Sequence, residues 1–471
     1  MVLEVPDIRF PGKPYVLNGI GGIFEGRFDK TRSRDDIDNC ILAYDLATQL
    51  LPVDDAKSMD YLYSSGISFL KRYNLTGNWA DIDQATSKLE IAVKSKANDH
   101  GLNPGWLYNL GISFAKRFIQ TKDLIDMCKA ISFLQNTIQL TPEGHAHMPA
   151  FLNDLGNLFQ SCFNHTGDLS DISEAISSQQ KAVQLTPEGH PDMPGWLTSL
   201  GYFFKVCFEH TGDLTDISEA ISSYQKAVQL TPEGHARMPA FLNDLGNLFQ
   251  SRFNHTRDLS DIFEAISSQK KAVQLTPEGH ANMPVQLINL GISLTNHFEH
   301  TGDPTDISEA ISFKQKAIQL TPEGHKNMPG FLNSIGISFQ CRFKCTQNPT
   351  DNSRATLFHQ KAVQLTPEGH ADMPHFLTSL GNSFINHPKC TRDFTNISKA
   401  ISWQQKAVQL TLEGQACMLN SLGCLFSLHF VHTGNLTDLS EAISWHQKAV
   451  QLTPEGHAYM STWLKKPWTM F

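Results

Sequence analysis

Histidine recurs at one position of a repeated phrase, and it is the first residue type here that could bind a metal. The phrase Leu-Thr-Pro-Glu-Gly-His returns every 45 residues and contains His145, His190, His235, His280, His325 and His370. Zinc needs ligands about 2.0–2.1 Å away, whereas packed helical repeats are spaced by about 8–10 Å. One row of histidines therefore cannot converge on one ion, and we predict that they are loop residues.

Acidic and thiol side chains suggest two further kinds of chemistry, calcium binding and nucleophilic catalysis. Pairs such as Asp168 and Asp171 recur, but an EF-hand loop needs acidic residues at alternate positions, a central Gly and a distal Glu. The nine cysteines are scattered, and no second CxxC-like half completes a zinc set. No pattern brings a Cys and a His together in one cleft. We therefore predict no enzyme activity, no metal and no cofactor.

These residues belong to a 45-residue repeat that fills most of the chain. The segment from Met148 to Gly189 returns almost unchanged from Met238 to Gly279. An anchor glycine marks each copy at Gly21, Gly66, Gly111, Gly156, Gly201, Gly246, Gly291, Gly336, Gly381 and Gly423. Self-similarity at such a period is typical of stacked repeat architectures. We predict an N-terminal tail over residues 1–13, an array over 14–454 and a C-terminal partial repeat or cap over 455–471. The repeats begin near residues 14, 59, 104, 149, 194, 239, 284, 329, 374 and 419.

Each repeat predicts two helices. In the first, Leu152, Leu155, Phe159 and Phe163 fall at spacings of three and four, which places them on one face. The second follows a residue of N-cap type twelve positions after each anchor glycine: Ser33, Asn78, Asp123, Asp168, Asp213, Asp258, Asp303, Asn348, Asp393 or Asn435. Since neither helix covers its apolar stripe alone, stacking must bury it.

Two local details extend this prediction. A second acidic residue three positions after the cap, such as Asp171, suggests a short-armed relative of the capping box. The second helix ends near Leu185, before Pro187.

In the first repeat, Gly19, Gly21, Gly22 and Gly26 weaken the helix, because each Gly costs about 0.5–1 kcal/mol relative to Ala. We therefore expect a frayed first helix.

The pattern Leu197-x2-Leu200-Gly201-x2-Phe204, followed by Ala220, Ala227 and Pro232, resembles the tetratricopeptide repeat. That family's repeat is 34 residues long, so each unit here is longer. The resemblance implies an all-α, right-handed solenoid of about ten stacked helix-turn-helix units. The sequence motif AIS-x2-QKAVQLTPEGH is similar to motifs in the repeat arrays of large fungal proteins. These proteins often carry a C-terminal CHAT domain, which is a caspase-like cysteine peptidase domain. Only residues 455–471 follow the predicted array in this sequence, so we expect the resemblance to extend to the repeat scaffold alone.

In tetratricopeptide arrays the first helix of each pair lines the concave surface. Matching this chain to those positions gives a set of peptide-groove candidates: Asn153, Asn157, Gln160, Thr198, Tyr202, Lys205, Asn243, Asn247, Gln250, Asn333, Gln340, Thr378 and Asn382. Side-chain amides both donate and accept hydrogen bonds, so a row of them could hold the backbone of an extended peptide. The alternative is that they form only a solvated helix face.

Composition excludes several partners. Charged residues are 18% of the chain and the net charge is −9, with no basic stripe and no base-stacking aromatic motif, so we predict no nucleic-acid binding. No apolar run approaches the roughly 18 residues of a membrane span. The N-terminus lacks the basic start and apolar run of a signal peptide. Scattered thiols then favour a reducing, cytoplasmic location.

These observations predict a non-catalytic scaffold or adaptor that binds peptide or helical segments of other proteins in a concave groove. An alternative is the regulatory repeat portion of a truncated CHAT-type cysteine peptidase, with the chain a fragment of a longer protein. A third possibility is a recently duplicated array that has no settled partner.

Overall fold

The computed structural model describes residues 12–51, 55–99, 103–385, 394–410 and 416–452, and these ranges contain helices and turns without a strand. The first helices of the pairs are α1 (Lys13–Thr31), α3 (Ala56–Thr76), α5 (Pro104–Thr121), α7 (Met148–Thr166), α9 (Met193–Thr211), α11 (Met238–Thr256), α13 (Met283–Thr301), α15 (Met328–Thr346), α17 (Met373–Ile385) and α19 (Ala416–Thr433). The second helices are α2 (Arg34–Gln49), α4 (Trp79–Asp99), α6 (Leu124–Leu140), α8 (Leu169–Leu185), α10 (Leu214–Leu230), α12 (Leu259–Leu275), α14 (Pro304–Leu320), α16 (Pro349–Leu365), α18 (Phe394–Leu410) and α20 (Leu436–Gln451). The predicted all-α class, built from ten helix-turn-helix repeats, is confirmed.

The chain divides into two compact units, Met1–Thr231 and Pro232–Phe471. Inside each compact unit, a helix packs on its partner in the same repeat and on the helix that follows, and some first helices also pack on the next first helix, as α3 does on α5 and α13 does on α15. The predicted tail and cap fall almost wholly outside the described residues, so those boundaries stay predictions. No described helix has the length and apolar character needed to cross a membrane.

The turn inside each repeat is built by the chain itself. In the fourth repeat, the backbone N–H of Asp168 donates to Thr166 Oγ1 (3.1 Å), and the Asp168 carboxylate accepts from the N–H of Ser170 (2.9 Å). The N–H of Ser170 holds the pKa of Asp168 below its usual range. Gly167 has a φ of 74°, which glycine adopts at no steric cost. The N-cap prediction is thus confirmed here, whereas Ser33 makes no side-chain cap bond and Asp393 lies outside the described residues.

In the repeats whose caps the structure describes, the second acidic residue does not complete a capping box, so that prediction is wrong. Asp126 accepts two hydrogen bonds from the first-helix residue Arg117, Nε to Oδ2 at 2.7 Å and Nη2 to Oδ1 at 2.6 Å. The backbone N–H of the cap residue Asp123 is taken by Thr121 Oγ1 instead (3.2 Å). The same ion pair, between residues nine positions apart, joins Arg342 to Asp351. In repeats that have Arg at this position, a bidentate ion pair therefore fastens the first helix to the start of the second helix.

The recurring histidines lie in the turns between repeats. His145 Nδ1 accepts from the backbone N–H of His147 (3.2 Å), and its own N–H donates to the carbonyl of Pro142 (3.2 Å). Gly144, with a φ of 81°, allows this turn. His325 and His370 make the same Nδ1 contact with the residue two positions later. These histidines are turn residues, as predicted.

The anchor glycines mark where the two helices of a repeat approach most closely. A Cβ atom added at Gly246 would lie 2.5 Å from Gln269 Cγ, and one at Gly201 would lie 2.6 Å from Tyr224 Cδ2. The first repeat follows the same rule, because Gly21 packs on the Tyr44 ring. The expectation of a frayed first helix is wrong, since α1 forms 19 continuous residues and the close packing compensates for glycine's low helix propensity.

Candidate peptide-binding face of the first helices

The predicted groove residues of the N-terminal compact unit lie on α7 and α9. On α7, Asn157 is exposed, while Asn153 and Gln160 are half-buried. On α9, Tyr202 is exposed and Lys205 is half-buried, with its Nζ 2.6 Å from Glu209 Oε1.

Thr198 is the exception in this compact unit, because it is 8% exposed and donates to the carbonyl of Gly195 (2.8 Å). The structure therefore leaves an open polar face on α7 and part of α9.

A carboxylate that the candidate set omits belongs to this face. Asp154 accepts a hydrogen bond from Tyr108 Oη (2.6 Å) and one from Asn153 Nδ2 (3.2 Å). Burial raises the pKa of Asp154, and the hydrogen bonds from Tyr108 and Asn153 and the charge of Lys116 offset this only in part. Its position three residues before Asn157 is the signal that could have found it, since that spacing puts both on one helix face.

In the C-terminal compact unit, the equivalent amides are tied to neighbouring helices. Asn243 is 8% exposed, and its Oδ1 accepts from Asn289 Nδ2 (3.0 Å). Asn247 Oδ1 accepts from Gln269 Nε2 (3.0 Å). Gln250 Oε1 accepts from the hydroxyl of Ser293, 43 residues later (2.8 Å).

The remaining candidates continue this arrangement. Asn333 is 3% exposed and its Oδ1 lies 2.9 Å from His359 Nδ1. Gln340, 8% exposed, donates to the carbonyl of Ser379 (3.4 Å).

On α17, a single second-helix residue, Gln404, engages both candidates. Asn382 Oδ1 accepts from Gln404 Nε2 (3.5 Å), and Thr378 Oγ1 lies 3.4 Å from Gln404 Oε1. These amides and hydroxyls join one helix to another and are less available to a ligand than the sequence indicated.

A polar residue of the second helix contributes to this difference in three repeats, where Gln269, His359 and Gln404 contact Asn247, Asn333 and Asn382. It occupies the position that faces the anchor glycine, where the first three repeats have Tyr44, Leu89 and Leu134. In later repeats that position holds Gln179, Tyr224, Gln269, Lys314, His359, Gln404 and His446. Burial lowers the pKa of His359 to about 3, so this imidazole is neutral where it meets Asn333.

Lys314 is the most unusual member of this series. Its side chain is 1% exposed, and Nζ lies 2.7 Å from Ser338 Oγ, 3.2 Å from Thr295 Oγ1 and 3.2 Å from the carbonyl of Ser334. Burial lowers its pKa to about 7. The Lys314 amino group is buried and is surrounded by oxygen atoms from neighbouring helices, an arrangement that favours a structural role.

Two clefts open between neighbouring inter-repeat turns, away from the groove candidates. The larger, about 660 Å³, has Phe331 and Phe376 among its lining residues, with His325 and His370 from successive turns. Among the described residues, no group of three or more His, Cys, Asp or Glu side chains is placed to hold a metal ion.

Comparisons with known proteins give structural similarity alone. No protein-family model matches the chain, and no curated protein matches it. The chain is similar to the crystal structure of the APC/C hetero-tetramer Cut9–Hcn1, at 13% identity over 96% of this chain and 93% of that chain, with a TM-score of 0.41. It is similar to the apo quorum sensor NprR from B. thuringiensis, at 13% identity over 84% and 99%, with a TM-score of 0.45.

A third similar structure is YrrB, described as a TPR protein with an unusual peptide-binding site, at 16% identity over 50% of this chain and 93% of that chain, with a TM-score of 0.33. TM-scores below 0.5 carry no functional argument, so the helical-repeat assignment rests on the described helices. The resemblance to CHAT-associated arrays is not tested by these comparisons and stays a prediction.

Proposed function

We propose that this protein is a non-catalytic interaction scaffold that binds an extended peptide segment of a partner protein along α5, α7 and α9. The observation that supports this most directly is the open polar face of α7. Asn157 makes no side-chain hydrogen bond to any residue that the structure describes, and Asn153 and Gln160 lie beside it on the same helix.

The spacing of the repeats suits an extended chain. Packed helices lie about 8–10 Å apart, and a peptide in the strand conformation advances about 3.3 Å per residue. Equivalent side chains on consecutive first helices would therefore meet every third residue of a bound peptide. Amide side chains at such positions can both donate to its carbonyls and accept from its N–H groups.

The duplicated segment provides a matched test. Affinity purification from the native organism compares the wild-type chain with the combined variant Asn153→Ala, Asn157→Ala and Gln160→Ala. The control carries the same three changes in the second copy, at Asn243, Asn247 and Gln250. We expect the first variant to lose partner proteins that the control retains, with circular dichroism showing that both are folded. Equal recovery of partner proteins with the first variant and with the wild type would show that this face does not bind them.

We also propose a cytoplasmic location. The cysteines that support it form no disulfide bond among the described residues: Cys40, Cys128, Cys162, Cys207, Cys341, Cys345 and Cys424. Structural disulfides are typical of oxidising compartments. Fluorescence microscopy of a tagged chain, with a secretory marker as reference, tests this location.

A further inference from the structure

A recurring contact joins each repeat to the next through two fixed positions. The residue early in a second helix meets the first-helix residue 34 positions later. Arg72 Nη1 donates to Asp38 Oδ1 at 2.7 Å, and Arg117 Nη1 donates to Asp83 Oδ1 at 3.5 Å. Both contacts lie in the N-terminal compact unit, at its first two inter-repeat junctions.

The C-terminal compact unit repeats this register with other residue types. The rings of Phe263 and His297 meet with centroids 4.6 Å apart. Ser398 Oγ lies 3.5 Å from His429 Nε2, where the separation is 31 residues because three residues are missing from that repeat. At these four junctions the side chains at the two positions therefore come into contact, as an ion pair, as two rings or as a hydroxyl and an imidazole.

At the third junction, between α6 and α7, both positions hold cysteine. Cys128 stands where Asp38 and Asp83 stand in the earlier repeats, and Cys162 stands where Arg72 and Arg117 stand. Cys128 is exposed, and Cys162 is half-buried.

The electrostatics of Cys162 agree with this placement. The pKa of the Cys162 thiol is raised to about 12, mainly by burial. A hydrogen bond to Asp171, the charge of Asp171 and the charge of Cys128 raise it further. A charge on Cys128 is thus felt at Cys162, as expected for two groups that share a junction.

We infer that Cys128 and Cys162 are an oxidative modification site, at which a disulfide bond joins the third repeat to the fourth. The oxidant is a low-molecular-weight disulfide such as oxidised glutathione. The Cys128 thiolate attacks one glutathione sulfur and releases one reduced glutathione, which leaves a mixed disulfide on Cys128. Cys162 then loses its proton and attacks the Cys128 sulfur, forming the Cys128–Cys162 bond and releasing the second glutathione. The two thiols give up two electrons and two protons, which convert one oxidised glutathione into two reduced molecules.

The order of the two steps follows from exposure and acidity. Cys128 reacts with the oxidant first because it is exposed. In thiol–disulfide exchange the attacking group is a thiolate, and the oxidant must be able to contact it. The second step is slower, since few Cys162 thiols ionise near neutral pH when their pKa is about 12. Its rate should therefore rise about tenfold for each pH unit between 7 and 9, while reductants reverse the bond.

The next repeat contains a matched control. Cys207 occupies the Cys162 position, and burial, followed by a hydrogen bond to Asp216, also raises its pKa, to about 11. The position that faces it, 34 residues earlier, holds Ser173. Cys207 therefore shares the local environment of Cys162 but has no thiol opposite.

The test treats the full-length protein with oxidised glutathione at pH 8.5, blocks remaining thiols at low pH, and identifies tryptic peptides by mass spectrometry without reduction. We expect residues 123–129 linked to residues 130–181, a link lost with dithiothreitol and in the variants Cys128→Ser and Cys162→Ser. Residues 206–226, which contain Cys207, should remain unlinked. The variant Ser173→Cys should gain a link to Cys207, which tests the register itself.

Two outcomes would overturn the inference. One is a stable glutathione adduct on Cys128 with Cys162 still free at pH 9, which would show that the sulfurs do not meet. The other is equal linkage of Cys128 to Cys162 and to Cys207, which would reflect random exchange in an unfolded chain. Circular dichroism before and after oxidation identifies the second case. The inference stands apart from the proposed peptide binding, and neither result bears on it.

Discussion

The replacement of Lys314 by glutamine is the change for which the structure makes the sharpest stability prediction. Gln179, Gln269 and Gln404 occupy the same position in other repeats, so Lys314→Gln uses a residue that this fold already accommodates there. Among the described residues, no carboxylate lies within 4.0 Å of Nζ to compensate the buried charge. The surrounding acceptors are two hydroxyls and one carbonyl.

The magnitude follows from the pKa. Burial lowers it from 10.5 to about 7, with Cys341 and Glu299 acting weakly in the opposite direction. At about 1.36 kcal/mol per pKa unit, the difference of 10.5 − 7 corresponds to roughly 5 kcal/mol of destabilisation. Glutamine gives up hydrogen bonds of Nζ, at about 1–3 kcal/mol. The net gain for Lys314→Gln at pH 7 is therefore about 2–4 kcal/mol.

The sign of the pH dependence distinguishes this cause from improved packing. Between pH 7 and 10.5 the unfolded chain keeps the lysine proton, while the folded chain has lost it. Stability rises with pH wherever the unfolded state binds more protons. The unfolding free energy of the wild type should therefore rise across this window relative to Lys314→Gln, and the advantage of the variant should shrink from pH 7 to pH 10.

Urea unfolding followed by circular dichroism, together with amide hydrogen exchange in α14 and α15, measures this difference at pH 7, 8.5 and 10. Lys316→Gln is the matched control, because it removes the same charge from an exposed position two residues away. A gain for Lys314→Gln that stays constant from pH 7 to 10 would refute the reasoning, since a buried ammonium could not then be its source.

Three further changes follow from the same contacts, and urea unfolding checks each. Gly246→Ala should cost about 1–3 kcal/mol through overpacking, because its Cβ would lie 2.5 Å from the side chain opposite, whereas Gly330→Ala, with open space around it, should be neutral or stabilising. Arg117→Ala should cost about 3–5 kcal/mol, because it leaves the buried Asp126 carboxylate (3% exposed) unpaired; a cost below 1 kcal/mol would show that the pair is not needed. Asp154→Asn should stabilise the fold at pH 7, since burial raises the pKa of the Asp154 carboxyl. The wild type then loses stability as pH rises from the unfolded-state pKa of this carboxyl to its folded-state pKa, whereas the variant does not. If the variant gained no more stability over the wild type at pH 7 than at pH 3, the result would contradict this.

Local chemistry is what the sequence predicted well. The positions of Asp168 and Leu185 fix the start and end of α8 because capping and helix termination depend on residues within one turn. The apolar spacing of Leu152 and Phe163 likewise identified the buried side of α7. The 45-residue period then required that these helices stack, because each leaves an apolar stripe uncovered.

The burial and hydrogen bonding of the polar groove candidates could not be predicted in the same way. The position of Asn333 on its helix matches the predicted groove, but His359, 26 residues later, decides whether its amide is bound. Similarly, the role of Asp126 depends on Arg117 reaching it from the preceding helix. Both errors concern side chains whose partners lie on another helix, for which spacing along one helix gives no information.

The duplicated segment shows how far this dependence on neighbours goes. Gln179 and Gln269 face equivalent glycines in two nearly identical copies, yet Gln179 Nε2 donates to the carbonyl of Trp196 (3.0 Å) and Gln269 Nε2 donates to Asn247 (3.0 Å). Trp196 belongs to the following repeat, whose equivalent residue after the second copy is a glutamine. A binding property therefore need not be copied together with the sequence of a repeat. The amide of Asn157 on α7 is left open and its counterpart Asn247 on α11 is engaged, so two helices of nearly the same sequence present different polar faces.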